Sequence, residues 1–371
     1  MNEESKLFAK RVLDIDASGV RKMFDMAKTI SDPIDLTVGQ PDFSVPEEVK
    51  EEAIKAIRDD KNKYTSTQGF EELRVKVKEK LEKKNNIKAD LNQIFITSAV
   101  SGGLTLAFLS LFEEGDEILI TDPYFVSYKQ ITILSGAKPV FVDIYPDFKL
   151  DIRKFEEKIT EKTKAIILNS PSNPTGIVYS QKDLEPIINL ARKHNLVLIS
   201  DEVYEDFIYN NKHFSPGSVY EKTITLNGFS KSHAMTGWRV GYIVAPKEMV
   251  EQMMKIQQYA YVCAPTPFQY GALKALDIDV ENEVENYKKK RELLWEGLKN
   301  HYDFVRPQGA FYAFMKYPYN GNEFIEKAVE NQLLVVPGNV FSEINTHFRI
   351  SFAVSDEVLE KGIEVLRKIA K

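Results

Sequence analysis

The sequence predicts an α/β fold: a large domain with a mostly parallel seven-stranded sheet covered by helices, and a smaller α+β domain beside it. Short runs rich in β-branched residues recur through the middle of the chain and alternate with helix-like stretches such as SQKDLEPIINLARKHN (180–195). This alternation is typical of parallel strands joined by helices that cover both faces of a sheet. The runs are IFIT (94–97), EILIT (117–121), KPVFVD (138–143), AIILN (165–169), VLIS (197–200), TITLN (223–227) and GYIVA (241–245).

The chain length and the C-terminal segments bear on the domain organisation. A chain of 371 residues suggests roughly two domains. The C-terminal part contains a long charged helix, strand-like stretches (GAFYAFMKY, LLVVPG, FRISFA) and a last helix, SDEVLEKGIEVLRKIA. Helices on one side of a small sheet give this part its α+β character.

Composition excludes several classes of protein. The 49 basic and 55 acidic residues give a net charge of −6, and no dense basic stripe is present, which disfavours nucleic-acid binding. No apolar run is long enough to cross a bilayer, and the first residues lack the apolar core of a signal peptide. The single cysteine, Cys263, cannot form an internal disulfide, which favours a reducing, cytoplasmic location.

Polar or aromatic groups follow the ends of several predicted strands. In parallel sheets the ligand crevice lies outside the carboxyl ends of the strands. The segments at these ends are SAVSGGL, DPYFVSY, SPSNPTG, DEVY and GFSK. Each alone is compatible with a helix cap or a turn, but their recurrence in this order favours a binding site.

Lys231 stands out within NGFSKSHAMTGWRVGY (227–242), between two predicted strands and among small and apolar residues. Two interpretations are open from this segment alone. The lysine is either a solvated loop residue or an amine kept poorly hydrated so that it can act as a nucleophile.

Four segments together carry a family resemblance: SPSNPTG, SDEVYEDF, SKSHAMTGWRVGY and FRISFA. The sequence resembles the pyridoxal 5'-phosphate (PLP) aminotransferases of fold type I, and within them the aspartate-aminotransferase-like class I/II enzymes. The resemblance extends from LTVGQPDF (36–43) to the C-terminus. It implies a large PLP-binding domain at 45–275, a small C-terminal domain at 276–371 and an N-terminal arm at 1–44 that joins the small domain. It also implies that an amino acid and a 2-oxo acid are the substrates. No metal is implied.

The resemblance assigns the residues around the cofactor ring. Lys231 matches the lysine that holds PLP as a Schiff base and shuttles the proton, and Asp201 matches the carboxylate that keeps the pyridine nitrogen protonated. Asn173 and Tyr204 match the two donors to the phenolic oxygen, and Phe125 the aromatic that stacks on the ring. Lys231, Asp201 and Tyr204 are therefore the predicted catalytic residues.

The phosphate is expected to bind at the N-terminus of a helix that starts within SAVS, where backbone N–H groups and the helix dipole favour an anion. The predicted contacts are Ala99, Val100, Ser101, Ser230 and Arg239.

Two positions next to this phosphate site need a separate comment. Many family members have serine where this chain has Gly228, so one phosphate contact is in question. Tyr64 matches a tyrosine that reaches the phosphate from the partner subunit, which implies a homodimer with shared active sites.

The substrate residues implied by the resemblance are Gly39, Asn173 and Arg349. The Arg349 guanidinium matches the group that clamps the α-carboxylate, a task that suits its planar, two-pronged geometry. Phe125, Tyr128 and Phe311 are candidates for an aromatic-lined side-chain pocket.

Three functions remain open from the sequence. The first is a ping-pong aminotransferase that uses aspartate, glutamate, an aromatic or another dicarboxylic amino acid, with 2-oxoglutarate as the acceptor. The second is a PLP-dependent carbon–sulfur β-lyase on the same fold, and the third is a regulatory or binding protein without enzymatic activity.

Overall fold

The structure is a computed structural model that describes residues 7–17, 19 and 30–371. Its strands are β1 (Ile34–Asp35), β2 (Ile94–Thr97), β3 (Glu117–Asp122), β4 (Lys138–Asp143), β5 (Thr163–Asn169), β6 (Val197–Asp201), β7 (Thr223–Gly228), β8 (Gly241–Val244), β9 (Tyr312–Lys316), β10 (Leu333–Leu334), β11 (Val336–Pro337) and β12 (His347–Ser351). Its α-helices are α1 (Lys10–Leu13), α2 (Glu47–Arg58), α3 (Glu71–Lys80), α4 (Ala99–Leu111), α5 (Ser127–Leu134), α6 (Ile152–Glu156), α7 (Gln181–Lys193), α8 (Lys247–Ala260), α9 (Thr266–Ala275), α10 (Glu281–Leu298), α11 (Gly321–Glu330) and α12 (Asp356–Ile369).

The predicted large sheet is confirmed. Seven strands pair in the order β2-β8-β7-β6-β5-β3-β4. Strand β8 runs antiparallel to both of its neighbours, and every other pair is parallel. All seven runs identified in the sequence are strands of this sheet, with ends that differ by at most two residues.

The large sheet buries both of its faces, which explains why its strands read as continuous apolar runs. Along β3, Ile118 and Ile120 belong to one hydrophobic cluster, together with residues of α4 and α8. Leu119 points to the opposite face and packs with residues of α7. Alternate side chains of one strand thus hold helices on opposite sides of the sheet.

The predicted helix between β5 and β6 is confirmed as α7, and its start is set by a capping box. The Ser180 hydroxyl accepts a hydrogen bond from the Asp183 backbone N–H, and the Asp183 carboxylate accepts one from the Ser180 backbone N–H. These two bonds satisfy N–H groups that have no partner inside the helix.

A second, smaller sheet forms from the C-terminal part of the chain. Its three antiparallel strands pair in the order β11-β12-β9, and the short strands β1 and β10 pair in parallel next to it. The pairing of Ile34 with Leu333 joins the segment before residue 45 to the C-terminal part. We therefore propose the predicted domain division, 1–44 with 276–371 and 45–275 separately.

Within the described residues, no helix is both long and apolar enough to cross a membrane.

Candidate active site

A cavity of about 360 Å³ opens where the carboxyl ends of the central strands face the small sheet, and we call it the active-site cavity. It is lined by residues of β6 and β12 and by residues of the segments that follow β2, β3, β5 and β7. The structure brings all the predicted cofactor and substrate residues except Tyr64 to its wall, whereas Phe311, a candidate for the side-chain pocket, does not line it. The predicted residues at the wall are Gly39, Ala99, Val100, Ser101, Phe125, Asn173, Asp201, Tyr204, Ser230, Lys231, Arg239 and Arg349.

The Lys231 amine is enclosed by protein, although part of the side chain stays open to the cavity. Its Nζ donates a hydrogen bond to the Gly39 carbonyl oxygen at 2.7 Å. Burial, followed by the positive charges of Arg349 and Arg239, lowers the pKa of Lys231 to about 8. A substantial fraction of the amine is therefore neutral near physiological pH, which favours the nucleophile over the solvated loop lysine.

Asp201 ends β6 at the base of the active-site cavity. Its Oδ2 accepts a hydrogen bond from the Tyr128 hydroxyl at 2.7 Å, and its Oδ1 accepts one from the Val203 backbone N–H at 3.2 Å. Burial raises the pKa of Asp201 to about 6, against the effect of these two bonds. A cation beside the carboxylate would lower this pKa again, so the site is suited to a positively charged group.

Aromatic residues form one wall of the active-site cavity. The hydroxyls of Tyr204 and Tyr312 lie 2.8 Å apart, and Phe125 packs edge-on against Tyr128 with ring centroids 5.6 Å apart. Phe311 packs behind Tyr204, with ring centroids 5.4 Å apart, and is not among the residues that line the cavity. Phe125 and Tyr128 therefore line the cavity as predicted. The prediction is wrong for Phe311, because Tyr204 and Tyr312 pack against Phe311 and line the cavity in its place.

The N-terminus of α4 reaches the cavity through a close backbone contact. A Cβ on Gly241 would lie 2.8 Å from the carbonyl carbon of Ala99, so only glycine lets β8 approach the helix start. The first N–H groups of a helix have no intrahelical partner and attract anions. Arg239 lines the same wall, with its Nη1 bound to the Thr236 carbonyl oxygen at 2.8 Å.

Gly228, the position where this chain departs from the family pattern, pairs with Gly241 across β7 and β8. A Cβ at Gly228 would lie 2.9 Å from the Gly241 Cα. Gly228 borders a neighbouring cavity rather than the active-site cavity. Glycine is therefore required here by the close approach of two strands.

Arg349 enters from β12 of the small sheet and is 2% exposed. Its Nη1 donates to Asn173 Oδ1 at 3.0 Å, and its Nη2 donates to the Thr37 carbonyl oxygen at 2.7 Å. The guanidinium carbon lies 4.5 Å from the ring centroids of both Tyr312 and Phe341. Within the described residues its Nε has no partner, so this buried cation retains a donor for a ligand.

Several residues of the cavity wall were not predicted from the sequence, and one predicted residue, Tyr64, lies outside the cavity. The additional lining residues are Gln40, Val126, Ser127, Asn169, Val203, Thr236 and Tyr312. Most of these adjoin a predicted residue in the chain, so proximity to a motif could have found them. Tyr312 could not be found this way, because the small sheet brings it to Tyr204 from 108 positions away. Tyr64 is 79% exposed and lies outside the cavity of its own chain.

These residues fit PLP. A buried, partly neutral lysine can hold the aldehyde carbon, and a buried carboxylate with a raised pKa calls for a cation such as a protonated pyridine nitrogen. The glycine-lined helix N-terminus fits a phosphate. The fold and the site define a PLP-dependent enzyme.

Comparison with known proteins agrees with this class. The sequence profile of aminotransferase class I and II matches residues 31–366. The chain is 41% identical to the aspartate aminotransferase of Pyrococcus abyssi over 96% of each chain, and 40% identical to aromatic-amino-acid aminotransferase 2 of Thermococcus litoralis over the same shares. A solved structure, Thermus thermophilus aspartate aminotransferase double mutant 1, superimposes with a TM-score of 0.94 at 36% identity, covering 98% of this chain and 99% of the other.

This chain belongs to the class I and II aminotransferase family. It is a PLP-dependent transaminase, and the predicted fold class, cofactor and reaction type are confirmed.

Proposed function

We propose that this aminotransferase moves the amino group of aspartate, or of a related L-amino acid, to 2-oxoglutarate in a ping-pong cycle, with Lys231, Asp201 and Tyr204 as its catalytic residues. The observation that carries the proposal is the enclosed Lys231 amine in a cavity where a buried cation, Arg349, keeps a donor that has no partner among the described residues. The Lys231 amine serves the reaction in its neutral form, and the Arg349 cation suits a substrate carboxylate.

The bound PLP supplies an electron sink for the electrons of the substrate Cα–H bond. Lys231 would accept the Cα proton at its Nζ and deliver it to the C4′ carbon of the bound cofactor, a task that requires the neutral amine and therefore its lowered pKa. The ionised Asp201 carboxylate holds the proton of the pyridine nitrogen, and Tyr128 supports that ionised state through its hydrogen bond. Tyr204 and Asn173 donate to the phenolic oxygen of the ring.

Substrate orientation falls to residues of the small sheet and the segment before it. Arg349 binds the α-carboxylate, and Asn173 fixes the guanidinium and contacts the same carboxylate. Gly39 lies close enough to Tyr312 that a Cβ there would be 2.6 Å from the tyrosine hydroxyl, so its backbone can border the substrate. A carboxylate held at two points presents one face of the Cα atom to Lys231.

Two further groups of residues are assigned to cofactor binding, one at a face of the ring and one at the phosphate. Phe125 covers one face of the ring from the aromatic wall of the cavity. The phosphate is bound by Ser230, by Arg239 and by the start of α4. The residues at this helix start are Ala99, Val100 and Ser101.

We propose a cytoplasmic homodimer, in which Tyr64 contacts the phosphate held by the other subunit. The support is that Tyr64 is 79% exposed and does not line the active-site cavity of its own chain. Mixing inactive Lys231→Ala and Tyr64→Ala subunits tests the shared site. Hybrid dimers regain one intact site per dimer, whereas sites contained within one subunit would give no gain in activity.

The amino donor is tested directly with the purified holoenzyme. Aspartate, glutamate, phenylalanine and tyrosine are assayed against 2-oxoglutarate and pyruvate, with formation of the new amino acid as the readout. We expect aspartate with 2-oxoglutarate to be turned over. Absence of transamination with every pair would contradict the proposal.

An aromatic donor is the second candidate. Lys231, Arg239 and Arg349 are the only cations among the described residues that line the cavity, and each already has a role, so none of these described residues is left for a distal carboxylate. Phe125 and Tyr128 offer an apolar wall instead. The donor panel separates these candidates, and release of pyruvate and ammonia from a β-thioether amino acid without a 2-oxo acid would indicate the β-lyase.

A further inference from the structure

A buried charged cluster lies behind the turn that carries Asp201 and Tyr204. This turn, residues 201–206, places Asp201 and Tyr204 at the active-site cavity, whereas Glu202 and Glu205 are absent from its wall. Glu202 is 0% exposed and Glu205 is 3% exposed. We call the group formed by Lys80, Asn85, Glu202, Glu205 and His213 the back cluster.

The Glu202 carboxylate is surrounded by hydrogen-bonding side chains from four residues. Its Oε1 accepts hydrogen bonds from the hydroxyls of Ser200 at 2.8 Å and Ser215 at 2.7 Å. Its Oε2 lies 2.7 Å from His213 Nε2 and 3.3 Å from Asn85 Nδ2. The carboxylate next to Asp201 in the chain is therefore fixed from four directions.

Glu205 shares two of these partners. It pairs with Lys80, accepts a hydrogen bond from Asn85 Nδ2 at 2.6 Å, and lies 3.7 Å from His213 Nε2. One ring nitrogen of His213 thus faces both carboxylates. Its other nitrogen, Nδ1, is buried and has no partner in the described part of the chain, so the carboxylates are what holds the ring.

The balance of charge depends on His213. The charged groups that face it are Glu202, Glu205 and Lys80, and the ion pair of Lys84 with Asp206 adjoins them. Three carboxylates and two lysines leave one negative charge in excess, and a protonated His213 neutralises it. Lys80 and the Asn85 amide already lie against the carboxylates, so a metal ion is not needed for this balance.

The pKa shifts of His213 and Glu205 agree with this count of charges. Burial works against a charge on His213, but Glu202 and then Glu205 outweigh it and raise the pKa of the imidazole above its ordinary value. Burial likewise opposes ionisation of Glu205, and Lys80 and His213 outweigh it and lower the pKa of that carboxyl.

We propose that His213 is a positioning residue for the reaction: its imidazolium bridges Glu202 and Glu205 and holds the 201–206 turn so that Asp201 and Tyr204 face the cofactor. The inference rests on the roles proposed for Asp201 and Tyr204. The turn is closed by the Glu205 backbone N–H, which donates to the Glu202 carbonyl oxygen at 2.9 Å. The positive charge of the imidazolium attracts both carboxylates in addition to the hydrogen bond between Nε2 and Glu202, so loss of the proton weakens what holds the turn.

The sign of the pH effect follows from the raised pKa. The imidazolium is present below that pKa and is lost as the pH rises through it. Turnover should therefore fall on the alkaline side of the His213 titration, in addition to the limbs set by Lys231 and Asp201.

The test compares His213→Gln with His194→Gln in the holoenzyme; His194 is an exposed histidine at the end of α7 and serves as the control. Wild-type kcat should fall with rising pH along a limb that His213→Gln lacks. Below that limb His213→Gln should have about tenfold lower kcat, the scale of a small misplacement of catalytic groups, with little change in KM. His194→Gln should keep the wild-type profile. Superimposable profiles for His213→Gln and the wild type would overturn the proposal.

A second measurement needs neither turnover nor the folding of His213→Gln. The chain has five histidines, so ring-¹⁵N signals of the wild-type holoenzyme can be titrated individually. The His213 pKa should lie above about 6.5, the ordinary value, and should fall in Glu202→Gln. A His213 pKa at or below that value overturns this proposal whatever the donor panel shows, whereas an inactive enzyme with a raised His213 pKa counts against the proposed function.

Discussion

The phenol of Tyr128 donates a hydrogen bond of 2.7 Å to Oδ2 of Asp201, with both groups buried at the base of the active-site cavity. This bond opposes the rise in the Asp201 pKa that burial causes. The Asp201 carboxylate is therefore kept ionisable near neutral pH by a residue of helix α5.

Replacing Tyr128 with Phe should raise the Asp201 pKa further and move the acidic limb of the kcat/KM profile to higher pH. A hydrogen bond to a charged group contributes roughly 1.5–3 kcal/mol, so we expect about a tenfold loss in kcat/KM at pH 7. Tyr145→Phe is the matched control, because Tyr145 bonds Ser342 outside the cavity. An acidic limb that stays in place in Tyr128→Phe would show that the bond does not support ionisation.

Cofactor-free Asp201→Asn should be more stable than the cofactor-free wild type at pH 8. Burial raises the pKa of Asp201 from 3.8 to about 6, so the folded state binds the proton more tightly than the unfolded state. Ionisation therefore costs stability as the pH rises from about 4 to about 6, and the full cost of about 3 kcal/mol applies above that window.

Urea unfolding of both cofactor-free proteins at pH 4 and pH 8 measures this effect. The free energy of unfolding of the variant should exceed that of the wild type at pH 8, and the gap should shrink toward pH 4. A gap that is independent of pH would mean that the carboxylate is not destabilised by burial.

Gly241→Ala should weaken PLP binding. The added methyl group would lie 2.8–3.0 Å from backbone atoms of Ala99 and Val100, so the α4 N-terminus must shift away from the phosphate. Overpacking costs about 1–3 kcal/mol, which corresponds to roughly a five- to hundredfold higher Kd. Gly237→Ala is the control, because a Cβ there meets no atom within 4 Å. Equal PLP affinities of the two variants, measured by titration of the cofactor-free proteins, would contradict the placement of the phosphate.

Arg349→Ala should bind PLP normally but lose activity toward amino acids. Removal of one partner of a buried charge pair costs about 3–5 kcal/mol, or roughly two to four powers of ten in kcat/KM. Arg349→Lys should recover only part of this, because an ammonium cannot bind a carboxylate at two points.

The informative comparison for Arg349 is a simple amine substrate without a carboxylate, assayed by cofactor absorbance in half-reactions. The amine should react at nearly the same rate with the variant and the wild type. If PLP binding is lost, or if amines and amino acids are affected equally, Arg349 has a structural role instead.

Much of the fold could be predicted because the large sheet is buried on both faces. Its strands are short apolar runs, and residues at their carboxyl ends, such as Asp201, meet at one edge whatever the strand order. The antiparallel direction of β8 left no comparable signal, because Gly241–Val244 is as buried and apolar as its parallel neighbours.

The contacts that tune the site could not be predicted, because they join residues far apart in the chain. Tyr204 meets Tyr312 across 108 positions, and Tyr128 meets Asp201 across 73. His213 is a single histidine in a loop, and nothing in its neighbours signals that Glu202 will face it. Such pairs are set by how the two sheets and the turns pack together, which local periodicity does not record.

Borohydride reduction of the holoenzyme, followed by peptide mapping, tests most directly whether Lys231 carries the cofactor. We expect a yellow protein that loses its colour on reduction. The pyridoxyl label should lie on the peptide that contains Lys231, and the Lys231→Ala variant should take up no label. A label on another lysine, or a wild-type protein that takes up no label, would contradict it.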